Sequence, residues 1–304
     1  MSPAREVLDA ELAGRLATLT LRTRKAVEGL TAGMHRSPHR GASVVFVEHR
    51  AYRPGDDPRW LDWKAFARND RHVVKRFEQE SRLRATLVLD GSGSMDWSGA
   101  PDRVTKHEYA ATILGALAYV LVHQADATAL VAFDETAHTH LPPRGSADHL
   151  DAVLRALARP PRPGSGTRTR AALEWVAERA GRRGLVVVAS DLLDFDDKAL
   201  APIGHLVSRG HDVLVIHVLD PVELELPFDG PARFVGCEGE APVDLDPAEV
   251  RAAYRAEVAR FVADRRHRCL TSGARYVFAR TDTPPEHVLA AALGGPTAEG
   301  GRGL

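Results

Sequence analysis

The stretch Arg84-Ala85-Thr86-Leu87-Val88-Leu89-Asp90-Gly91-Ser92-Gly93-Ser94 decides how the rest of the chain is read. Its first half is short, nearly all apolar and free of polar alternation. Such a run fits a strand covered on both faces, near the centre of a sheet. Its second half changes chemistry: an acid, then serines alternating with glycines. Glycine permits tight backbone turns, so the strand ends at Asp90 and a compact loop follows.

Working outward, strands and helices alternate. Residues 103–123 carry Ala110, Ile113, Leu114, Leu117, Ala118 and Leu121 at helical spacing. A strand at 126–134 follows, then a helix at 148–157, a Pro/Gly loop ending at Thr167, and a helix at 170–180. The apolar run Leu185-Val186-Val187-Val188-Ala189-Ser190 reads as a second buried strand, closed by Asp191. Then come a helix at 198–208, a strand at 211–220, a long helix at 247–269, a strand at 274–280 and a last helix at 284–293. This alternation predicts an α/β fold: a doubly wound, mostly parallel sheet covered on both faces. A smaller N-terminal segment precedes it. There, Leu8, Leu12, Leu16, Leu19, Val27 and Leu30 predict a helix within residues 1–35. Strand-like runs at 44–52 and 72–81, separated by a Pro-Gly-Asp-Asp-Pro turn, occupy a segment at 36–83. The main domain spans 84–293, and the Gly-rich composition of 294–304 predicts a disordered tail.

Doubly wound sheets bind ligands at the carboxyl ends of their strands. Three groups of residues lie at such positions: Asp90, Ser92 and Ser94 after one strand, Thr167 after Gly164-Ser165-Gly166, and Asp191 after another. The set suits a hard divalent cation. Mg²⁺ takes oxygen ligands and retains some waters; two carboxylates balance its charge, and hydroxyls add neutral oxygens. Thr169 competes with Thr167 as the loop hydroxyl, and Thr167 is preferred because it directly follows the Gly-Ser-Gly. The pattern Asp90-x-Ser92-x-Ser94 with Thr167 and Asp191 resembles the metal-ion-dependent adhesion site of von Willebrand factor type A domains. That resemblance implies a cofactor, Mg²⁺ with Mn²⁺ or Ca²⁺ as alternatives. It also implies that the ion bridges to an acidic residue of a partner protein.

A second pattern lies upstream. It runs Arg50-Ala51-Tyr52-Arg53-Pro54-Gly55-Asp56-Asp57-Pro58-Arg59-Trp60-Leu61-Asp62-Trp63. It is similar to the signature of the bacterial "domain of unknown function 58" family. Members of that family are commonly encoded beside MoxR-type AAA+ ATPases. The resemblance implies an adaptor or chaperone-system partner of such an ATPase rather than an enzyme. Physically, the segment combines turn chemistry with charges flanking aromatics. Arg50, Tyr52, Asp56, Asp57, Arg59, Asp62 and Trp63 are candidates for partner docking, against the simpler reading of a subdomain held by ion pairs.

Composition narrows the field further. The 304 residues carry 40 Lys+Arg against 41 Asp+Glu, a net charge of −1, so a strongly basic nucleic-acid binder is excluded. The two cysteines, Cys237 and Cys269, cannot build a disulfide framework, which points to a cytoplasmic setting. The longest apolar run, residues 113–122, is too short to span a membrane, and residues 1–16 lack a signal-peptide core. No Gly-x-x-x-x-Gly-Lys-Ser/Thr phosphate loop and no Gly-x-Ser-x-Gly elbow is present. His107-Glu108 opens like a zinc-protease helix, but Ala111 stands where the second histidine belongs. A cation-dependent binding module has two alternatives. One is an assembly protein whose ion only stabilises the fold. The other is a phosphohydrolase of the haloacid-dehalogenase type. Such an enzyme needs a second acid two residues after the nucleophile; here that residue is Ser92.

Overall fold

The computed structural model describes residues 3–36, 49–51, 73–75 and 83–294, apart from Pro163 and Arg182. The chain divides into two units, residues 37–82 and the remainder. In chain order the elements begin with helix α1, Pro3–Arg36. The smaller unit holds strands β1, His49–Ala51, and β2, Val73–Lys75, paired antiparallel with His49 opposite Lys75. The larger unit continues with β3, Arg84–Asp90, helix α2, Lys106–His123, and strands β4, Ala127–Phe133, and β5, Ala137–Arg144. Helices α3, Ala147–Leu157, and α4, Thr169–Arg179, lead to β6, Leu185–Ser190. Then follow α5, Asp197–Ser208, β7, Asp212–Leu219, and the short α6, Pro221–Glu225. A hairpin of β8, Ala232–Phe234, and β9, Val243–Leu245, precedes α7, Pro247–Thr271, β10, Arg275–Arg280, and α8, Pro285–Ala292.

The central sheet has strand order β10-β7-β6-β3-β4-β5. All neighbours run parallel except β5, which pairs antiparallel with β4 at one edge. Alternate side chains of each strand feed two cores. Leu87 and Leu89 of β3, with Val187 and Ala189 of β6, pack beneath α1, α2, α3 and α8. Val88 of β3, with Val186 and Val188 of β6, faces α4, α5 and the end of α7. This two-sided covering is why the central strands read as unbroken apolar runs. The doubly wound, mostly parallel α/β class read from the sequence is the fold observed.

Helix α1 belongs with the larger unit, packing on α2 and α8. Its Leu19, Ala26 and Leu30 are buried in the first core, and Arg22 pairs with Glu108 of α2 at 3.0 Å. A Cβ on Gly115 of α2 would lie 2.9 Å from the Thr23 hydroxyl. The missing side chain there lets the two helices approach.

Several boundaries differ from the expectation. Helix α2 starts at Lys106 rather than 103, because the Thr105 hydroxyl caps it by accepting the Glu108 N–H at 3.2 Å. Strand β5, absent from the sequence reading, carries Pro142 and Pro143 and alternates poorly. An edge strand tolerates proline that an interior strand does not. Helix α6 and the β8–β9 hairpin fall in what read as plain loop. Of the runs expected as strands at 44–52 and 72–81, the described residues are those of β1 and β2.

Candidate functional site

The chain leaves β3 through α2 to reach β4 on one side, and returns through α4 to β6 on the other. The strand order therefore reverses at β3 and β6. In open sheets of this kind, the crevice beyond the strand ends at such a point is where ligands bind. Asp90 ends β3, and Asp191 directly follows β6.

The loop after β3 is tightly fixed. The Gly91 N–H donates to the Phe133 carbonyl at 2.7 Å, holding the loop on the end of β4. Asp90 is fully buried. Its Oδ1 accepts the Ser92 N–H at 3.0 Å, and its Oδ2 accepts the Ser190 hydroxyl at 2.6 Å. Ser92 Oγ and Ser94 Oγ lie 3.1 Å apart, and Met95, also fully buried, anchors the short helical turn that follows. The Gly93 N–H donates to the Ser165 carbonyl at 2.8 Å, which draws in the loop bearing Thr167. A Cβ on Gly93 would sit 2.6 Å from the Cys237 carbonyl oxygen and 3.2 Å from that of Ser165. Both are backbone atoms, so only glycine permits this approach.

Asp191 is paired with a buried lysine. Lys106, at the first turn of α2, is 0% exposed and donates to Asp191 at 2.8 Å and to Glu223 of α6 at 2.5 Å. Burial alone would lower the lysine's pKa, but the charges and hydrogen bonds of Asp191 and Glu223 together raise it above its ordinary value. Burial likewise opposes the charge on Asp191, yet Lys106, a hydrogen bond from Ser94 and the Leu193 N–H hold its pKa below the usual carboxylate range. Asp90 is the reverse case. Burial, then the nearby Asp191 charge, push its pKa up to about 7. Among the described residues, no Lys or Arg forms an ion pair with it.

This asymmetry predicts a pH dependence in chelator-treated protein. The Asp90 pKa rises from 3.8 to about 7 on folding. Between those values the folded state holds a proton that the unfolded chain has released, so its contribution makes stability fall as pH rises across that window. In urea melts at pH 4.5–7.5, Asp90→Asn should remove up to one proton's worth of that slope. An unchanged slope would contradict the assignment.

The structure brings Asp90, Ser92, Ser94 and Asp191 together. Thr167 joins them through Glu238, whose Oε1 accepts the Thr167 hydroxyl at 2.9 Å and lies 3.4 Å from the Ser94 nitrogen. Thr169 is different: it is buried at the start of α4, and its hydroxyl has no hydrogen-bond partner among the described residues. Asp196 caps α5, accepting the Lys198 and Ala199 N–H groups. Among the described residues no three His, Cys, Asp or Glu side chains gather as a ready-made metal cluster, so an ion here would depend on the hydroxyls. The donor set still fits one: two buried carboxylates, one lacking a cation, and three hydroxyls at the same strand ends. Of the candidate docking residues, Arg50 lies in β1; Tyr52, Asp56, Asp57, Arg59, Asp62 and Trp63 lie outside the described residues.

The sequence reading missed Lys106, Ser190, Glu223 and Glu238. A lysine opening an otherwise apolar helix was the available signal for Lys106. Glu223 and Glu238 reach the site from an insertion whose path no local pattern reveals. Both cysteines are free thiols, Cys269 buried and Cys237 exposed. No described helix is long and apolar enough to cross a membrane.

The chain is 30% identical over 267 residues to "Uncharacterized protein Rv1480" of Mycobacterium tuberculosis, covering 84% of this chain and 83% of that one. Among solved structures it is similar to the conserved hypothetical protein BatB from Bacteroides thetaiotaomicron. That match has a TM-score of 0.46 at 17% identity, covering 70% of this chain and 97% of BatB. It is similar also to the SpRpn10 VWA domain, with a TM-score of 0.40 at 12% identity, covering 73% of this chain and 100% of that domain. The pattern of the family described as "Protein of unknown function DUF58" matches residues 48–267. With a match over most of its length and a relative so broadly aligned, the chain belongs to the DUF58 family.

Proposed function

We propose that this protein is a non-enzymatic, divalent-cation-dependent protein-binding module that works with a MoxR-type AAA+ ATPase. Asp90, Ser92, Ser94, Thr167 and Asp191 would hold Mg²⁺, or Mn²⁺ or Ca²⁺ in its place. When bound, the ion supplies an electrophilic point that takes a carboxylate oxygen from a partner. The observation that carries the reading is the pairing of unequal acids at the sheet's switch point. Asp191 already has its cation in Lys106, whereas Asp90 is buried with neutral donors only. A buried carboxylate without a cation is costly, and a divalent ion beside three hydroxyls removes that cost. The chain's own groups do the rest: Ser190 and the Ser92 N–H orient Asp90, and Lys106 fixes Asp191. Hydrolase chemistry has little support, since Ser92 and Ser94 hydrogen-bond each other and no acid follows Asp90 where a proton-transfer group belongs.

Affinity purification from extract of the source cells, with Mg²⁺ in one arm and EDTA in the other, tests the reading. The expected result is a MoxR-type ATPase retained only with Mg²⁺, and lost with Asp90→Ala. Retention that ignores both EDTA and the substitution would overturn the cation dependence. Absence of any such ATPase in both arms would overturn the partnership.

A further inference from the structure

The β8–β9 hairpin does more than decorate the sheet edge. Arg233 and Asp244 clamp its strands with two hydrogen bonds of 2.9 Å. Its turn is drawn in by Glu240, whose carboxylate accepts the Glu238 N–H at 3.0 Å. The Cys237 carbonyl is seated in the space that the missing side chain of Gly93 leaves. The backbone on either side of Glu238 is thus held, and its carboxylate reaches the Thr167 hydroxyl and the Ser94 N–H. Thr167 is one of the proposed ligands, and Ser94, another, hydrogen-bonds Asp191 through its side chain, so the Glu238 carboxylate is held on two residues of the donor set. The position is that of a ligand carboxylate rather than of a surface acid.

We propose that Glu238 is the chain's own occupant of the carboxylate position at this site, so that an acidic residue of a partner must displace it. This rests on the cation-site reading above. Glu238 acts as an intramolecular competitor, present at the high effective concentration that a turn held in place on the same chain gives. The binding surface for partners is then governed by the turn at 235–242: while the turn is seated, the edge is self-satisfied.

Water-proton relaxation with Mn²⁺ as the probe tests this on the full-length chain. Wild type, Glu238→Gln, Glu238→Ala and Asp90→Ala are compared, with Glu135→Gln as a control that removes an equal charge close to Gly166. Melting curves establish that each variant is folded. Both Glu238 variants should show greater relaxation enhancement from bound Mn²⁺, as water takes the place of the carboxylate. Added acetate should then quench that enhancement at a concentration about tenfold lower than in wild type. Glu135→Gln should behave as wild type. If Mn²⁺ binding depends on Asp90 but both Glu238 variants match wild type in enhancement and in acetate response, this proposal is overturned and the cation site stands. If wild type binds no Mn²⁺, the cation site itself is overturned, and this proposal with it.

Discussion

Replacing Lys106 by methionine is expected to cost about 3–5 kcal/mol of unfolding free energy, the range for breaking a buried pair by removing one partner. Lys106 and Asp191 are both almost wholly inaccessible, with side chains 1% exposed, and Glu223 shares the same ammonium. Methionine keeps much of the side-chain length and its apolar contacts, so the loss is that of charge. Asp191 would then lie in the interior without its cation, and Glu223, half-buried beside it, would lose the same partner. For a domain of this size, each kcal/mol moves the melting temperature by about 2–4 °C, which gives a fall of about 6–20 °C. Calorimetry in EDTA measures it. A fall of under about 2 °C would mean that the pair carries none of the stability assigned to it. The rest of the network is consistent with a fixed edge: Asp220 caps α6 in a reciprocal box with Glu223 and also accepts the Thr281 hydroxyl at 2.7 Å. Arg103 approaches that same Asp220 at 3.6 Å.

Much of this was legible from the sequence, for physical reasons that differ by element. The central strands were readable because burial on both faces demands continuous apolar residues, as in Leu185 to Ala189. The longer helices of the main unit were readable from their spacing, whereas the five-residue α6 is too short to show one. The acids at the strand ends were readable because the fold class says where to look, and the Gly-Ser alternation marked the loop. Three things were not readable. Strand β5 has an edge strand's polar composition, Ala137-His138-Thr139-His140, and its pairing with β4 is irregular. The role of Lys106 depends on two acids 85 and 117 residues away. Glu238 reaches Thr167 across 71 residues, through a hairpin with strands of only three residues each. Contacts of that separation are set by tertiary packing, and local periodicity is silent about them. The choice of Thr167 over Thr169 rested on its directly following Gly164-Ser165-Gly166. The structure separates them by placing Thr167 at the edge with Glu238 and Thr169 beneath it, inside the core.

The larger functional effect should come from Asp90→Ala. Substituting groups that only support a metal's ligands typically costs about 10–100-fold in affinity. Asp90 is one of two carboxylates in the proposed set and the one without a competing lysine, so its loss should weaken cation binding by at least about 100-fold. Stability should move the other way or hardly at all in EDTA, since the substitution also removes a buried charge that lacks a cation. That divergence separates a lost ligand from a broken fold. The direct measurement is an electron paramagnetic resonance titration of Mn²⁺ into folded wild-type and Asp90→Ala protein, counting free ion. The account predicts one saturable site per wild-type chain, displaced by Mg²⁺ and lost in the variant. Equal Mn²⁺ binding by the two proteins, or none by either, would contradict it.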